Sequence, residues 1–509
     1  MALRGSDRFP AACSRARRTL DEATGDSGKA GRMLRRTKIV ATLGPASRSD
    51  DVIARMIRAG MDVVRLNTSH DDLASHVEAL EQVRRVAAAE GKHVGVLMDL
   101  GGPKLRTAPS ANGDAVALMA GAAVMVTAEP GATSAEVVRV PYPHLVTDVH
   151  SGDQVLLDDG NLELVVEGAR GNALACRVVT GGVLASRKGV SFPRSRLQLS
   201  ALTPRDIEAI AAGVDAGADY FGLSFVGSAA DVERARAAIH ARGADVPIIA
   251  KIERGQAVQE LDAILAVSDG AMVARGDLGV ELPLEDVPIQ QRRIIASAGR
   301  HMIPVITATQ MLESMIDSPR PTRAESSDVA NAVWDLSDAL MLSAETAVGK
   351  YPVEAVAVMD RIIRRAEGAA APDIDEITHP ATDDHSHVVA LAVRRIVESD
   401  ANIRGIVSFT RSGYTALLLS KVHPAVPVYG FSPNESVCRR LSLARGVTPV
   451  LAPLVTTSDD MLRMVDGMLM EGGHVALGEE VVVVASMPVH ADGTTNFLKL
   501  HRVGESRSY

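Results

Sequence analysis

Residues 247–277 read PIIAKIERGQAVQELDAILAVSDGAMVARGD. The stretch opens on an apolar, β-branched run, Pro247–Glu253, and closes on a second, Gly270–Asp277, with a helical pattern between them. Near-continuous apolar strands alternating with helices imply a parallel sheet buried on both faces. The same rhythm extends outward in both directions, through Thr37–Leu43, Asp62–Thr68, His93–Leu100, Ala218–Phe225, Pro304–Gln310 and Ala339–Glu345. Flanking helices carry apolar residues at helical spacing, as in Val52, Ile53, Met56 and Ile57 before Gly60. Eight such units predict an α/β fold of the closed (β/α)8 type rather than an open sheet.

The rhythm breaks once, between the third and fourth units. Residues 106–188 alternate, as in Leu162-Glu-Leu-Val-Val166, then a Gly-Ala-Arg-Gly-Asn turn, then Ala173 to Val179. This predicts a small antiparallel β domain, a β-barrel lid, inserted in a βα loop. The barrel then comprises 33–105 and 189–370. A polar linker, Ala371 to Ser386, leads into a C-terminal α/β layer domain, 371–509, with strands near Gly405–Phe409, Val426–Phe431, Val447–Leu451 and Glu480–Ala485. Residues 1–32 are basic in patches and without periodicity, and are expected to be a disordered extension ahead of Met33. They lack the apolar core of a secretory signal, and Asp21, Glu22 and Asp26 weigh against a transit peptide.

Bulk properties exclude several classes. The 509 residues carry a net charge of −9 with 23% charged and 46% hydrophobic residues, an ordinary globular balance that favours neither nucleic-acid nor membrane binding. Cys13, Cys176 and Cys438 are isolated, which excludes a disulfide scaffold or zinc ribbon and suits a reducing compartment. No apolar run is long enough to span a bilayer. GxxxxGK[ST], a GxGxxG after a strand, HExxH and GxSxG are all missing.

Catalytic groups of such barrels come from the C-terminal strand ends. Here those ends are polar: Arg65, Asn67, Ser69 and His70 after strand two; Asp99, then Lys104 and Arg106, after strand three. Lys251 and Glu253 end strand five, Arg275, Gly276 and Asp277 strand six, Thr307 and Thr309 strand seven, and Glu345 strand eight. One polar end is best read as a solvated loop; six converging on one face form a site. Glu253 and Asp277 are hard carboxylates suited to Mg²⁺ or Mn²⁺, and Arg65, Lys104, Arg106 and Lys251 are cations at the same mouth. That combination serves an anionic phosphoryl-transfer transition state. The bland alternative pairs Glu253 and Asp277 structurally with Lys251 and Arg275.

Several long motifs resemble the pyruvate kinase family: Thr37-Lys-Ile-Val-Ala-Thr-Leu-Gly-Pro-Ala-Ser47, Ala250-Lys-Ile-Glu-Arg254, Met272-Val-Ala-Arg-Gly-Asp-Leu-Gly-Val-Glu281, Ala308-Thr-Gln-Met-Leu-Glu-Ser-Met315 and Pro319-Arg-Pro-Thr-Arg-Ala-Glu325 with Ser327-Asp-Val-Ala-Asn-Ala-Val333. The resemblance runs from about Thr37 to the C-terminus. It implies transfer of the phosphoryl group of phosphoenolpyruvate to ADP, giving pyruvate and ATP. It further implies Lys251 at the transferring group, Glu253 and Asp277 on Mg²⁺, Gly276 and Asp277 at the substrate carboxylate, Arg65 at the phosphate and Thr309 in proton relay. Thr42, Pro45, Asn67, His70, Arg106 and Lys188 would border the nucleotide. A homotetramer in the cytoplasm follows from the same likeness.

Departures from the family pattern are equally specific. Many members bind K⁺ through residues equivalent to Asn67, Ser69 and Asp99, with a Thr where this chain has Leu100 and an acidic residue where it has Lys104. A lysine ammonium is a tethered monovalent cation, so Lys104 is expected to replace K⁺ in a remnant site. Val348 removes a lysine sometimes credited with nucleotide contact, and Thr68, Asp71, Gly101 and Ala344 also differ. In the last domain Thr410, Arg411, Ser412, Gly413 and Thr415 lie between a strand and a helix, where they would hold a phosphorylated effector or simply cap the helix through Ser412. Two other functions compete, a catalytically silent phosphometabolite sensor and a metal-enolate lyase. Intact Lys251, Glu253, Asp277 and Thr309 oppose the first, and the inserted lid opposes the second.

Overall fold

The computed structural model describes residues 35–505 except 112, 194, 370–384, 456 and 487–494. The expected extension at 1–32, Cys13 and nearly all of the expected linker therefore lie outside the described residues. Strands Lys38–Thr42, Val63–Asn67, Gly95–Asp99, Tyr220–Leu223, Ile248–Ile252, Gly270–Ala274, Val305–Ala308 and Ala339–Leu342 pair in parallel, each with its neighbour in sequence, and the first closes on the eighth. The first connecting helix, Asp50–Ala59, buries Ile53, Met56 and Ile57 at the predicted spacing. The Ser49 hydroxyl accepts the Val52 N–H at its start, and Gly60 (φ 122°) ends it.

Side chains on a strand alternate between faces, and here the alternation fixes the site. Val40, Val63, Leu97, Tyr220, Ile249, Met272, Ile306 and Ala339 fill the barrel interior. Their neighbours Ile39, Val64, Val96, Phe221, Ile248, Ala271, Val305 and Leu340 pack outward under the helices. Two residues beyond Val40, Val63, Leu97 and Ile249 lie Thr42, Arg65, Asp99 and Lys251, with Glu253 two further. The apolar layer that closes the barrel thus aims the polar layer above it inward.

The opposite end of the barrel is closed by a fourfold device. Asp62, Asp219, Asp269 and Asp338 each stand one residue before an even-numbered strand. Each carboxylate accepts a backbone N–H from the preceding odd-numbered strand, from Ile39, Val96, Ile248 and Val305 respectively, all at 2.8 Å. Each is also met by a cation: Arg35 at Asp62, Arg84 and Arg439 at Asp219, Arg236 at Asp269, and Lys421 at Asp338. Two of these cations, Lys421 and Arg439, come from the C-terminal domain. Leu443 from that domain joins the interior cluster, and the Tyr220 hydroxyl donates to the Arg440 carbonyl at 2.7 Å.

The inserted unit differs from the closed, wholly antiparallel barrel expected. It is a six-stranded sheet in the order Val190–Ser191, Gln154–Leu157, Leu162–Arg170, Ala173–Thr180, Ala123–Thr127, Val137–Arg139, beside a ribbon of Val116–Leu118 and Gly182–Leu184. Its terminal strands do not pair with each other among the described residues, and Val137–Arg139 runs parallel to Ala123–Thr127. The expected five-residue turn tightens to Gly171-Asn172, because a bulge between Val166 and Gly168 lets the strand continue to Arg170. The sheet also takes in Val190–Ser191, past the expected junction at 188, since these residues pair with Leu156 and Leu157.

The C-terminal sheet runs Val447–Leu451, Val428–Ser432, Ile403–Phe409, Glu480–Ala485, Phe497–Arg502. Its first four strands are parallel; the last, absent from the sequence-based expectation, is antiparallel to Glu480–Ala485 and lies at the edge. It escaped notice because Leu498, Lys499, Leu500 and His501 carry a pattern with exposed leucines on the outer face. Among the described residues no helix is long and apolar enough to cross a membrane.

His423 in this domain is buried, and among the described residues neither ring nitrogen has a hydrogen-bond partner. Burial, with Arg445, Lys421, Arg394 and Arg36 nearby, holds its pKa well below the ordinary 6.5. The unfolded chain therefore takes up a proton below pH 6.5 that the folded chain refuses. Stability is retained above pH 6.5 and eroded as the pH falls toward the folded value, by about 1.4 kcal/mol per pH unit. His423 has φ 50°, which asparagine tolerates. We expect His423→Asn to flatten the loss of denaturation midpoint between pH 6.5 and 5.5 relative to the parent.

Candidate active site

At the C-terminal mouth, five of the expected residues form one connected, nearly dry network. Asp99 is 1% exposed. Its Oδ2 accepts from Arg65 Nε at 2.6 Å, and its Oδ1 lies 3.2 Å from Lys251 Nζ. Lys251 Nζ also meets Glu253 Oε1 at 2.9 Å and donates to Ser224 Oγ at 2.7 Å. Arg65 Nη1 donates to the Thr42 hydroxyl at 3.2 Å, which itself donates to the Leu342 carbonyl. These two contacts tie strand two to strand one and strand one to strand eight.

The electrostatics follow from burial and charge order. Burial alone raises the pKa of Asp99, but Lys251 and Arg65 outweigh it and hold the carboxyl below its ordinary range. Burial lowers that of Lys251, but Asp99 and Glu253 outweigh it, so the ammonium stays charged at neutral pH. Glu253 is pushed up, chiefly by burial and further by Asp277, against the opposing pull of Lys251. Burial likewise raises Glu281, with Asp277 and Glu253 adding to it against Arg254. The charge on Asp277 disfavours the ionised form of Glu253, a repulsion that a divalent cation would relieve. Among the described residues no cluster of three or more His, Cys, Asp or Glu could encage a metal. Mg²⁺ takes one or two carboxylates and fills its remaining positions with water and substrate oxygens, and Glu253 and Asp277 are carboxylates of that kind.

The structural pairing of these carboxylates holds only in half. Glu253 does pair with Lys251, whereas Arg275 turns away from Asp277 to Asp328 at 2.8 Å and to the Thr309 carbonyl at 2.6 Å. This clamps Thr309, whose φ is 69°. The Thr309 hydroxyl donates to the Ala308 carbonyl and accepts the Gly276 N–H at 2.8 Å. Gly276 and Asp277 sit in the first turn of a short helix, Arg275–Glu281.

Lys104 does not sit where a substitute for K⁺ is expected. Its ammonium lies 3.5 Å from Asp277 and 3.7 Å from Asp159 of the inserted unit, and makes no ion pair with Asp99. Asp99 is already committed to two buried cations, while Asp277 is a half-exposed carboxylate facing Lys104. Asn67 Oδ1 accepts the Ser69 N–H, closing a local turn.

The expected nucleotide residues divide. Arg106 and Lys188 stand on the two adjacent hinge segments, joined where the Thr107 N–H donates to the Lys188 carbonyl at 2.8 Å. Lys188 Nζ pairs with Asp158 at 2.7 Å. A cavity of about 470 Å³ beside them is lined by Pro103, Lys104, Arg106, Pro141 and Arg187. Thr42 belongs to the buried network, whereas Pro45 and His70 are exposed. In the C-terminal loop the cap is Gly413 (φ 94°), not Ser412: the Thr410 hydroxyl accepts the Gly413 N–H at 2.8 Å, leaving Ser412 only a 3.4 Å contact from Tyr414 N–H. Arg411 accepts at its carbonyl from Asn434, and Thr415 shares a hydrogen bond with Thr495.

Ser224 and the Phe225 N–H, which donates to Glu253 at 2.7 Å, were missed because strand four ends without an ionisable group. The signal available was Ser224 at an inward-facing strand end, between Asp99 and Lys251.

Comparison with known proteins places this geometry. The family model described as pyruvate kinase, barrel domain, matches residues 34–356, and that described as pyruvate kinase, alpha/beta domain, matches 387–501. A pyruvate kinase of Mycobacterium intracellulare is 45% identical over 93% of this chain and 99% of its own length. One from Corynebacterium glutamicum is 44% identical over 93% and 98%. A crystal structure of a pyruvate kinase from Cryptosporidium parvum superposes with a TM-score of 0.87 at 33% identity, covering 92% of this chain and 96% of that one.

A raised Glu253 pKa makes protons compete with the metal, so divalent-ion affinity should fall on acidification at a higher pH than an ordinary carboxylate of 4.5 would dictate. Glu253→Gln is expected to weaken Mn²⁺ binding about tenfold or more and to remove this pH dependence, read by the electron paramagnetic resonance of free Mn²⁺.

Proposed function

The chain belongs to the pyruvate kinase family and is an enzyme, and on that premise we propose that it moves the phosphoryl group of phosphoenolpyruvate to ADP in the cytoplasm without requiring K⁺. The observation that carries the reading is the Arg65–Asp99–Lys251–Glu253 network, which presents a charged ammonium and a guanidinium beside a carboxylate pair. Lys251 meets the transferring phosphoryl group and the enolate oxygen that develops as it leaves. Arg65, fixed through Nε and Nη1, offers its remaining nitrogen to the phosphate. The first turn at Gly276 and Asp277 takes the substrate carboxylate. A carboxylate arriving there takes the Gly276 N–H and frees a lone pair on Thr309; for relay the hydroxyl turns its own proton from the Ala308 carbonyl to the enolate carbon and accepts another through that lone pair. Glu253 and Asp277 hold Mg²⁺, which the family generally uses; bound, it stabilises charge on the phosphoryl oxygens. Arg106 and Lys188 on the hinge segments take ADP, with Pro45, Asn67 and His70 and the buried Thr42 bordering it as the family likeness implies.

Support for K⁺ independence is the fixed cation at Lys104, acting from Asp277 and the lid rather than from Asn67, Ser69 and Asp99. Pyruvate formation in a buffer free of K⁺ and Na⁺ is the expected result, with Lys104→Met acquiring a K⁺ requirement. A large rise on adding K⁺ to the parent would refute this point and keep the kinase. Lys251→Met should lower kcat about a hundred- to a thousandfold. No turnover from folded parent protein with effectors present would favour the silent sensor.

The Thr410–Thr415 loop is proposed to bind a phosphorylated effector, and calorimetric titration with AMP, ribose 5-phosphate and fructose 1,6-bisphosphate tests it; no heat from any retires the idea. A homotetramer is proposed because Leu284 and Ile289 on the barrel, and Leu500 on the C-terminal edge strand, expose apolar side chains. Light scattering on the eluted protein should give four times the chain mass; a monomer mass overturns it.

A further inference from the structure

The end of barrel strand four carries no charge, yet two of the charged groups at the mouth are held by it. Ser224 is 2% exposed, and its hydroxyl donates to the Leu100 carbonyl at 2.6 Å. A hydroxyl has one proton, so toward Lys251 the same oxygen can only accept, which it does at 2.7 Å. The next residue, Phe225, lies at φ 56° and directs its N–H to Glu253 Oε2. Gly102 backs this turn: a Cβ there would stand 2.7 Å from the Phe225 ring and 3.1 Å from Ser224 Cβ, at φ +65°. The arrangement is therefore closely packed and has one orientation.

Lys251 Nζ donates a hydrogen bond to Ser224 Oγ and is ion-paired with Glu253 Oε1 and Asp99 Oδ1. Glu253 is also assigned to the metal, so its hold on the ammonium is the one that metal binding weakens. Asp99 is shared with Arg65 and could draw Lys251 toward strand three. Ser224 is the neutral partner of the three, rigid because its own proton is committed elsewhere.

We propose that Ser224 is a positioning residue for phosphoryl transfer, aiming the Lys251 ammonium through an oxygen locked by the Leu100 carbonyl. The proposal rests on the pyruvate kinase reading above. It deepens that reading by adding a residue whose substitution should act on the reacting geometry rather than on substrate capture.

The test compares the parent with Ser224→Ala and the near-isosteric Ser224→Cys, whose thiol is a weak acceptor. Each is measured in phosphoenolpyruvate and ADP turnover, with denaturation midpoints alongside. A fall in kcat of about ten- to a hundredfold, with the KM for phosphoenolpyruvate within about threefold, is expected for both. In protein carrying ¹⁵N-lysine, the Lys251 ammonium signal, assigned by its loss in Lys251→Met, should shift or broaden in both variants with no substrate or metal present. Unchanged kcat together with an unchanged ammonium signal overturns the proposal, whatever the midpoint does. If Ser224→Ala does not fold, Ser224→Cys decides the matter by the same two readouts. A parent without turnover sinks the kinase reading, while the ammonium signal still judges the positioning.

Discussion

Asp99 is the constraint on which the active mouth depends. It is a carboxylate at the inward face of strand three, shielded from water, with a guanidinium on one oxygen and an ammonium near the other. Remove its charge, and Arg65 loses its carboxylate partner while Lys251 is left with Glu253 alone in a poorly hydrated space. Restore it, and two cations stand together at the barrel mouth, where an anion would be attracted. A buried ion cluster of this kind contributes little net stability, because desolvation offsets much of the attraction. What it supplies is geometry: the cations are oriented before substrate binds, so little reorganisation remains for the reaction itself.

Much of this was legible in the chain because strands obey a period of two. Once Val63, Leu97 and Ile249 are recognised as interior, Arg65, Asp99 and Lys251 must point the same way, and the polar ends of strands two, three, five and six become neighbours. What resisted reading was neutral or backbone chemistry. Ser224 resembles any serine after an apolar run, and the Phe225 N–H has no sequence signature. The pairing of Arg275 with Asp328 across 53 residues is a tertiary choice that local charge order misassigns to Asp277. Gly413 displaced Ser412 as the helix cap because a positive φ suits glycine, and Thr410 supplied the hydroxyl from three residues upstream. The lid defied expectation for a related reason: alternation predicts strands, but neither closure nor the direction of a short edge strand.

Lys104 shows how residue type and location separate. Its charge fits the idea of a tethered substitute for a monovalent ion, yet its side chain goes to Asp277 and to Asp159 on the inserted sheet. The cation thereby joins barrel and lid across the substrate mouth. With Lys188 on Asp158 it makes the consecutive aspartates of one lid turn, at φ 54° and 53°, face two different lysines. Both pairs are partly exposed and individually weak. Such contacts tie the inserted sheet to the barrel without locking the two together.

At the far end of the barrel, the four aspartates that precede the even strands bind the eight strands as four couples. Their counter-charges are not all local, since Asp338 depends on Lys421 and Asp219 partly on Arg439. Leaving Asp338 buried without its partner would cost about 3–5 kcal/mol. The barrel and the domain beneath it thus share their buried charges. A chain cut before the C-terminal domain would expose the floor of its own barrel as a bare negative charge, so the two domains hold each other through ions rather than through the linker between them.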